Sequence, residues 1–465
     1  MLQIFKKYYP IRNIFFVLGE GIFIYASVLA ASMIILDAGS FTLDRWLLLK
    51  VFLITFVCQS SLYYNDLYDL KITDSFNELG IRLLQALGFA AIFLAFVYII
   101  FPRAIIGTGT FVISVGLVVL LIGSWRFCYQ LILNRGIFNE KILLLGSSDL
   151  VKKIKQEIKE RKDCGYTLAL ELAESDTHGR FEEPKHPEML IGQRFEGLAR
   201  VAKTLGIKKI IAGFKEKRHT FPTKELLRCR MEGIDVIEGI SFFENLTGKL
   251  TVESINPSWL IFSGGFQKSR TRRFLKRTLD VTLSVLMLIL CLPLIALTAL
   301  LIKIDSRGPV IFSQERVGEK GTIYWMHKFR SMCDNAEKES GPVWAINDDK
   351  RVTRVGKFIR LCRIDEIPQL WNVLNGSMSF VGPRPERDFF VKELQEKIPY
   401  YNERFTVKPG ITGWAQISYG YGASVDDAIE KLNYDLFYIK NMTTLLDLMI
   451  VIRTIKIVLF SRGAR

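Results

Sequence analysis

Apolar and charged stretches alternate in blocks along this 465-residue chain. The first 135 residues hold four apolar runs, roughly Ile14 to Leu36, Trp46 to Tyr64, Leu83 to Phe101 and Ile105 to Leu133. Each reaches the ~20 residues that a helix needs to cross the hydrocarbon core of a bilayer. The joining segments are short, which predicts a four-helix transmembrane bundle over residues 1–135. Lys6, Lys7 and Arg12 precede the first run, Lys71 and Arg82 separate the second and third, and Arg126, Arg135 and Lys141 close the fourth. The excess of positive charge on these segments places both ends of the bundle in the cytoplasm. Glu20 falls inside the first run and is expected to face neighbouring helices, where a partner can offset its charge.

From 138 to 265 the pattern changes to short apolar runs separated by amphipathic ones. KILLLGSS (Lys141 to Ser148) reads as a buried strand running into a turn, and Leu150 to Lys162 as an amphipathic helix. EGLARVAKTLGIKKIIAGF (Glu196 to Phe214) adds a helix, a glycine stop and a strand, and EGIDVIEG (Glu232 to Gly239) a further strand. This rhythm predicts a Rossmann-like α/β module. A working dinucleotide site wants G-x-G-x-x-G at the first turn. Gly146 stands alone there, followed by Ser147 and Ser148, so the module reads as degenerate.

The third region, 266–465, opens on a basic run, Lys268 to Arg277, and then on the apolar segment from Leu279 to Ile302. Length alone would make this a fifth span. Pro293 near its middle removes a helical hydrogen bond and kinks the chain. Both flanks are basic, which favours one side of the membrane for both. The expectation is a re-entrant helix over about 274–304, with Lys276, Arg277 and Asp280 at the membrane face and Pro293 at the bend. Beyond it, Gly308 to Met332 reads as a hairpin turning at Gly318 to Gly321. Lys328 and Arg330 share one face of its second strand. Lys392 to Phe405 reads as an amphipathic helix broken at Pro399. The final run, Leu445 to Phe460, is too short to span and suits the membrane interface.

Composition narrows the partners. Net charge is +15, with 49% hydrophobic and 23% charged residues. A basic chain with long apolar runs points to anionic lipid and phosphate rather than nucleic acid, for which no binding module is visible. Seven scattered cysteines, none in a CxxC pair, read as free thiols. The histidines at 178, 186, 219 and 327 stand at no ligand spacing, which argues against zinc.

The chemistry concentrates in Ile359 to Arg387. Asp365 and Glu366 are adjacent, with Arg360, Arg363, Arg384 and Arg387 around them and a rigid turn at Gly382 to Pro385. Guanidiniums orient phosphate oxygens, one carboxylate can attack phosphorus, and another can hold a hard cation. Acids and an early proline such as Pro368 equally suit a helix start.

KRTLD (Lys276 to Asp280), GPVIFSQERVG (Gly308 to Gly318), KFRSM (Lys328 to Met332), the acid-pair stretch, KPGITGWAQI (Lys408 to Ile417) and LNYDLFYIKN (Leu432 to Asn441) follow one another in an order that resembles the bacterial sugar transferase family, the monotopic phosphoglycosyl transferases. The likeness covers about the last 200 residues. It implies a multidomain membrane protein: transmembrane bundle, Rossmann-like module, and an α+β catalytic domain over 266–465. It implies transfer of a hexose-1-phosphate, usually glucose or galactose, from a UDP-sugar to undecaprenyl phosphate at the cytoplasmic face of the inner membrane, as the first membrane step of exopolysaccharide synthesis. Asp365 would be the nucleophile that carries the phospho-sugar as UMP leaves, and Glu366 the Mg²⁺ ligand. Lys328, Arg330, Arg360, Arg363 and Arg384 would meet phosphate, and Asp435 matches a motif acid that equally suits a helix surface. A homodimer is the expected assembly. A fragment starting near Phe266 is expected to carry the chemistry. Members commonly have Ser-Pro at the helix bend, where this chain has Leu292-Pro293. Membrane-bound nucleotide-sugar dehydratases also join four spans to a Rossmann domain, but need an intact glycine fingerprint and a Tyr-x-x-x-Lys pair in it. Tyr324 and Lys328 have that spacing outside the module.

Overall fold

The computed structural model describes residues 2–4, 7–9, 11–35, 44–68, 76–107, 109–136, 139–172, 195, 197–214, 221–255, 264–266, 268–333, 349, 351–420, 422 and 424–459. Lys6, Lys71 and three of the histidines, at 178, 186 and 219, lie outside them. Two short paired strands open the chain, Leu2–Ile4 (β1) and Lys7–Tyr9 (β2). The rest divides into two compact units that part at Gly239 and Ile240.

The first unit begins with helices α1 (Ile11–Ile35), α2 (Arg45–Tyr64), α3 (Phe76–Ile100) and α4 (Thr110–Arg135). All four are long and apolar enough to cross a membrane. Ile24, Val51, Leu62, Ala86 and Ile122 fill the bundle interior, while Phe15, Ile22, Phe52, Ile92 and Phe96 point outward. A fold that exposes this much phenylalanine and isoleucine requires an apolar solvent. Polar groups turn inward instead. Glu20 meets Arg126 at 2.6 Å with both side chains buried, which joins α1 to α4. Arg126 also donates to the Leu67 carbonyl at 2.7 Å and lies over the Phe16 and Tyr68 rings. In lipid such a charge is tolerated only with partners like these.

After the bundle come β3 (Glu140–Leu145), α5 (Asp149–Glu160), β4 (Tyr166–Leu172), α6 (Leu198–Thr204), β5 (Lys209–Ala212), α7 (Thr223–Met231) and β6 (Asp235–Glu238). The strands form one parallel sheet in the order β4-β3-β5-β6, the order reversing beside β3 as in doubly wound folds. At the carboxyl ends of β3 and β5 the two turns lie against each other. The Ser148 hydroxyl donates to the Gly213 carbonyl at 2.5 Å, and a Cβ on Gly146 would sit 2.7 Å from that oxygen.

The second unit starts within helix α8 (Gly239–Thr247). Residues 240–255, read from the sequence as the tail of the α/β module, pack into this unit's core. Leu250, Val252 and Ile255 are buried with Trp414, Leu436, Phe437 and Tyr438. Glu244 pairs with Lys440 at 2.6 Å and accepts from Asn441 at 3.0 Å, and the Trp414 indole donates to the Gly248 carbonyl at 2.7 Å. The boundary that the sequence placed near 265 thus falls before residue 240, because an acid and three apolar side chains there have partners in the C-terminal unit.

Helix α9 (Arg270–Asp305) is the fifth apolar helix, with Pro293 inside it. Strands β7 (Ile311–Val317) and β8 (Ile323–Phe329) form the expected antiparallel hairpin, turning where Lys320 and Gly321 both have positive φ. Then come α10 (Arg354–Leu361), α11 (Gln369–Asn375), β9 (Ser379–Val381), α12 (Asp388–Lys397), β10 (Gly410–Thr412), α13 (Trp414–Ser418), α14 (Val425–Asn441) and α15 (Thr444–Leu459). Strands β9 and β10 pair in parallel. A Cβ on Gly410 would come within 2.1 Å of the Gly382 nitrogen, so only glycine lets these two segments meet.

Both ends of α9 are tied into this unit. Near its start, Asp280 accepts from the Ser379 hydroxyl and the Phe380 amide at 3.0 Å each, and Lys276 donates to the Val381 carbonyl and meets Asp447, each at 3.0 Å. Arg277 donates to the carbonyls of Val373 and Leu374 at 2.6 and 2.7 Å. Lys276, Arg277 and Asp280 therefore point into the protein, where the sequence suggested headgroups. At the other end Ile302 packs with Phe329 and Ile359, and the Asp305 carboxylate accepts from the Val355 amide at 3.1 Å. Between these ties most side chains are exposed.

Candidate active site

Three local structures bring the acid pair and its cations together. The first is a 3-10 turn, Ile364–Glu366, which follows α10 directly. Its entry residue, Arg363, has φ +55, a left-handed conformation that costs a non-glycine residue about 1–3 kcal/mol. That reversal presents Asp365 and Glu366 from a tight corner rather than from a helix face. The second is β8, which carries Lys328. The third is the turn at Gly382–Pro385, which carries Arg384.

Glu366 is the hub. Its Oε1 meets Lys328 Nζ at 3.3 Å and Arg384 Nη2 at 3.0 Å, and its Oε2 meets Arg363 Nη1 at 3.7 Å. Burial alone would raise its carboxyl, but Arg384, Lys328 and Arg363 overcome that and hold it well below the usual carboxylate range. Asp365 is also buried, and no hydrogen bond to its side chain is formed among the described residues. Burial raises its carboxyl above the ordinary value, against Lys328 and with the help of Glu366. Burial also lowers the Lys328 ammonium, Glu366 opposing. Two adjacent carboxylates thus differ in environment: one surrounded by cations, the other desolvated and open.

The remaining candidates distribute around this centre. Arg360 donates from Nε to the Ser331 hydroxyl at 2.7 Å, and its charge acts on Asp365. Arg330 turns away, donating to the Ser306 carbonyl and hydroxyl at 2.7 and 2.9 Å at the end of α9. Asp435 stays outside the cluster. It is buried on α14 and takes Arg404 Nη2 at 3.1 Å. The same nitrogen donates to the Arg384 carbonyl at 2.9 Å, so Asp435 steadies the main chain from which Arg384 reaches Glu366. Burial pushes the Asp435 carboxyl up to about 6, against the pull of Arg404. Pro293 lies in the exposed stretch of α9, remote in sequence from these groups.

Sequence reading passed over Asn372 and Arg404. The buried Asn372 amide donates to the Trp325 carbonyl at 2.7 Å and accepts from the His327 amide at 3.0 Å, holding the strand that carries Lys328. Buried polar residues within an apolar helix pattern were the available signal. Among the described residues no group of three or more His, Cys, Asp or Glu is placed to hold a metal.

Comparison with known proteins bears on the same segment. Residues 271–461 match the model of the family described as bacterial sugar transferase. The chain is 44% identical over 240 residues to the UDP-N-acetylgalactosamine-undecaprenyl-phosphate N-acetylgalactosaminephosphotransferase of Aeromonas hydrophila, covering 52% of this chain and 56% of that protein. It is 45% identical over 194 residues to the undecaprenyl-phosphate glucose phosphotransferase of Komagataeibacter xylinus, 41% of this chain and 36% of the relative. A candidate undecaprenyl-phosphate N-acetylgalactosaminyl 1-phosphate transferase of Bacillus subtilis (strain 168) is 49% identical over 162 residues, 34% of this chain and 86% of its own length. The first two matches thus span about half or less of the relatives' lengths. With six motifs in order, an acid pair ringed by cations, and a match over most of a shorter relative, this chain belongs to the bacterial sugar transferase family.

Proposed function

We propose that the protein transfers a sugar-1-phosphate from a UDP-sugar to undecaprenyl phosphate through a phospho-sugar held on Asp365. The observation that carries this reading is the contrast within the acid pair: Glu366 is paired with Lys328, Arg384 and Arg363, while Asp365 is buried and left free to react. Asp365 attacks the sugar-bearing phosphorus, the bond from that phosphorus to the bridging oxygen breaks, and UMP departs with the electron pair. A phosphate oxygen of the lipid then attacks the same phosphorus, the Asp365–phosphorus bond breaks, and the carboxylate is restored. Lys328 and Arg384 stand where they would offset the charge that gathers in both steps.

Mg²⁺ commonly binds through one or two carboxylates together with substrate phosphates. The adjacent Asp365 and Glu366 fit that mode, since among the described residues Glu366 Oε2 meets only the Arg363 cation, 3.7 Å away. Glu366 would hold the ion with the donor's phosphates. When bound, it supplies further neutralisation of the diphosphate.

The same reading places the active site on the cytoplasmic face, with α9 entering and leaving the bilayer from that side. A straight helix of 36 residues would be about 54 Å long. Yet Arg277 is tied to Val373, and Ile302 belongs to an apolar cluster that includes Ile367, only six residues from Val373 in sequence. Ser284 and Thr298 are buried amid exposed neighbours, as they would be if the two arms faced each other across Pro293. The prediction is that Thr271→Cys and Arg307→Cys, each placed in a background without the seven native cysteines, resist a membrane-impermeant thiol reagent in intact cells. Both should react once the inner face is opened. Labelling at 307 from outside would establish a full crossing.

The relatives named above act, by name, on N-acetylgalactosamine and glucose, and a further one in Salmonella typhimurium on galactose. The test is UMP release by detergent-solubilised protein with undecaprenyl phosphate and a panel of UDP-glucose, UDP-galactose and UDP-N-acetylgalactosamine. One donor is expected to dominate; no release from any of them would sink the proposal.

A further inference from the structure

The hairpin β7–β8 carries more toward the acid pair than Lys328. Its register sets Arg316 opposite Tyr324. Tyr324 and Lys328 share one face of β8 by the two-residue period of a strand. Arg316 donates from Nη2 to Gln314 at 2.7 Å and from Nη1 to the Pro385 carbonyl at 3.4 Å, and lies 3.9 Å from Glu386. It is thus fixed against the turn that carries Arg384. Two donors here remain unused. The Tyr324 hydroxyl and Arg316 Nε are both buried, and neither has a hydrogen-bond partner among the described residues. Buried donors are paired in the great majority of cases, so two unfilled ones at facing positions need an explanation.

We propose that Arg316 and Tyr324, together with Arg384, form a second phosphate subsite, which takes the phosphate monoester of the departing nucleotide. This rests on the reading of the protein as a UDP-sugar transferase. The diphosphate donor brings two phosphates. One must meet Asp365, and the other must find donors of its own, which Arg316 Nε and the Tyr324 hydroxyl supply. Arg384 links the two groups: it meets Glu366 at 3.0 Å, and Arg316 is fixed to the carbonyl of the adjacent Pro385. Burial keeps the Tyr324 hydroxyl protonated, well above the ordinary tyrosine range, and pulls Arg316 down to about 10, so both are donors at neutral pH.

The same chemistry is carried by the lipid phosphate, and position along the strand separates the two. Arg330, which also has buried unpartnered nitrogens, is bonded to Ser306 at the end of the apolar helix α9. Tyr324 lies six residues back along the hairpin, roughly 20 Å from Arg330 if fully extended. The end beside α9 suits a ligand anchored in the bilayer; the far end suits a water-soluble one.

The test uses Tyr324→Phe in full-length protein, because it removes only the unfilled hydroxyl. Ligand-free Tyr324→Phe should melt at or above the wild-type temperature, since an unpaired buried hydroxyl opposes folding. Its Kd for UMP, measured calorimetrically, should rise about tenfold, as loss of a hydrogen bond to a charged group predicts. KM for the UDP-sugar should rise in parallel while KM for undecaprenyl phosphate stays level. Unchanged UMP affinity in a variant whose wild type turns over a UDP-sugar would overturn the subsite alone. A rise confined to the lipid phosphate would reassign it to the acceptor and equally overturn the proposal. No turnover and no UMP binding by the wild type would remove the functional reading and the subsite together.

Discussion

Asp365→Asn is expected to lose about a thousandfold or more in turnover while melting no lower than the wild type. The loss follows from removing a nucleophile whose work no neighbour can take over. The unchanged or raised melting temperature follows from the environment of the carboxyl. Burial raises its folded-state pKa, so ionisation of Asp365 opposes folding increasingly as pH rises through that value, and a neutral amide removes the opposition. Glu366→Gln should behave in the opposite way. Its folded-state pKa is depressed, so the stability it contributes is present above the ordinary carboxylate range and is lost only as pH falls through the depressed value. Glutamine leaves Lys328, Arg384 and Arg363 without their shared anion, so Glu366→Gln should melt lower than the wild type. Thermal melts of both variants at neutral pH, beside acid-quenched mass spectrometry of the wild type incubated with donor alone, separate the roles. A phospho-sugar adduct on the peptide containing Asp365 is expected; an adduct that survives Asp365→Asn would place the nucleophile elsewhere.

A fragment beginning at Phe266 is expected to misfold, and one beginning at Gly239 to fold. The shorter piece lacks Glu244, which pairs with the buried Lys440, and it lacks the Gly248 carbonyl that the Trp414 indole uses. Breaking the buried pair costs about 3–5 kcal/mol. Removing Leu250, Val252 and Ile255 from the core forfeits about 1.5–3 kcal/mol for each. Together these approach the whole stability of an ordinary domain, about 5–15 kcal/mol. The comparison to make is melting temperature and soluble yield of the two fragments in the same detergent. Equal stability would reduce the 240–255 arm to a surface ornament.

What could be read from the chain depended on the range of the interaction. Four apolar helices and most of the parallel sheet announce themselves through local periodicity, and the acid pair through a run of fewer than thirty residues. The strand at Tyr166–Leu172 was passed over because its side chains alternate only weakly between buried and exposed. The arm at 240–255 resembles the module it follows, and nothing local marks that Glu244 belongs to Lys440 nearly two hundred positions later. Lys276 and Asp280 look like a headgroup-binding run because charge beside an apolar segment usually is one. Their partners, Asp447 and Ser379, are likewise distant in sequence. Asp435 was a motif residue whose part, steadying the Arg384 turn through Arg404, needs three segments in register to be seen.

Asn372 offers the Trp325 carbonyl and the His327 amide the same donor and acceptor that a neighbouring strand would. Strand β8 pairs with β7 on one side only, so its other edge is a template for a strand of another chain. A single carboxamide occupies that template at its middle. Among the described residues, what fills the middle of this edge is therefore a side chain carried by helix α11 rather than a third strand.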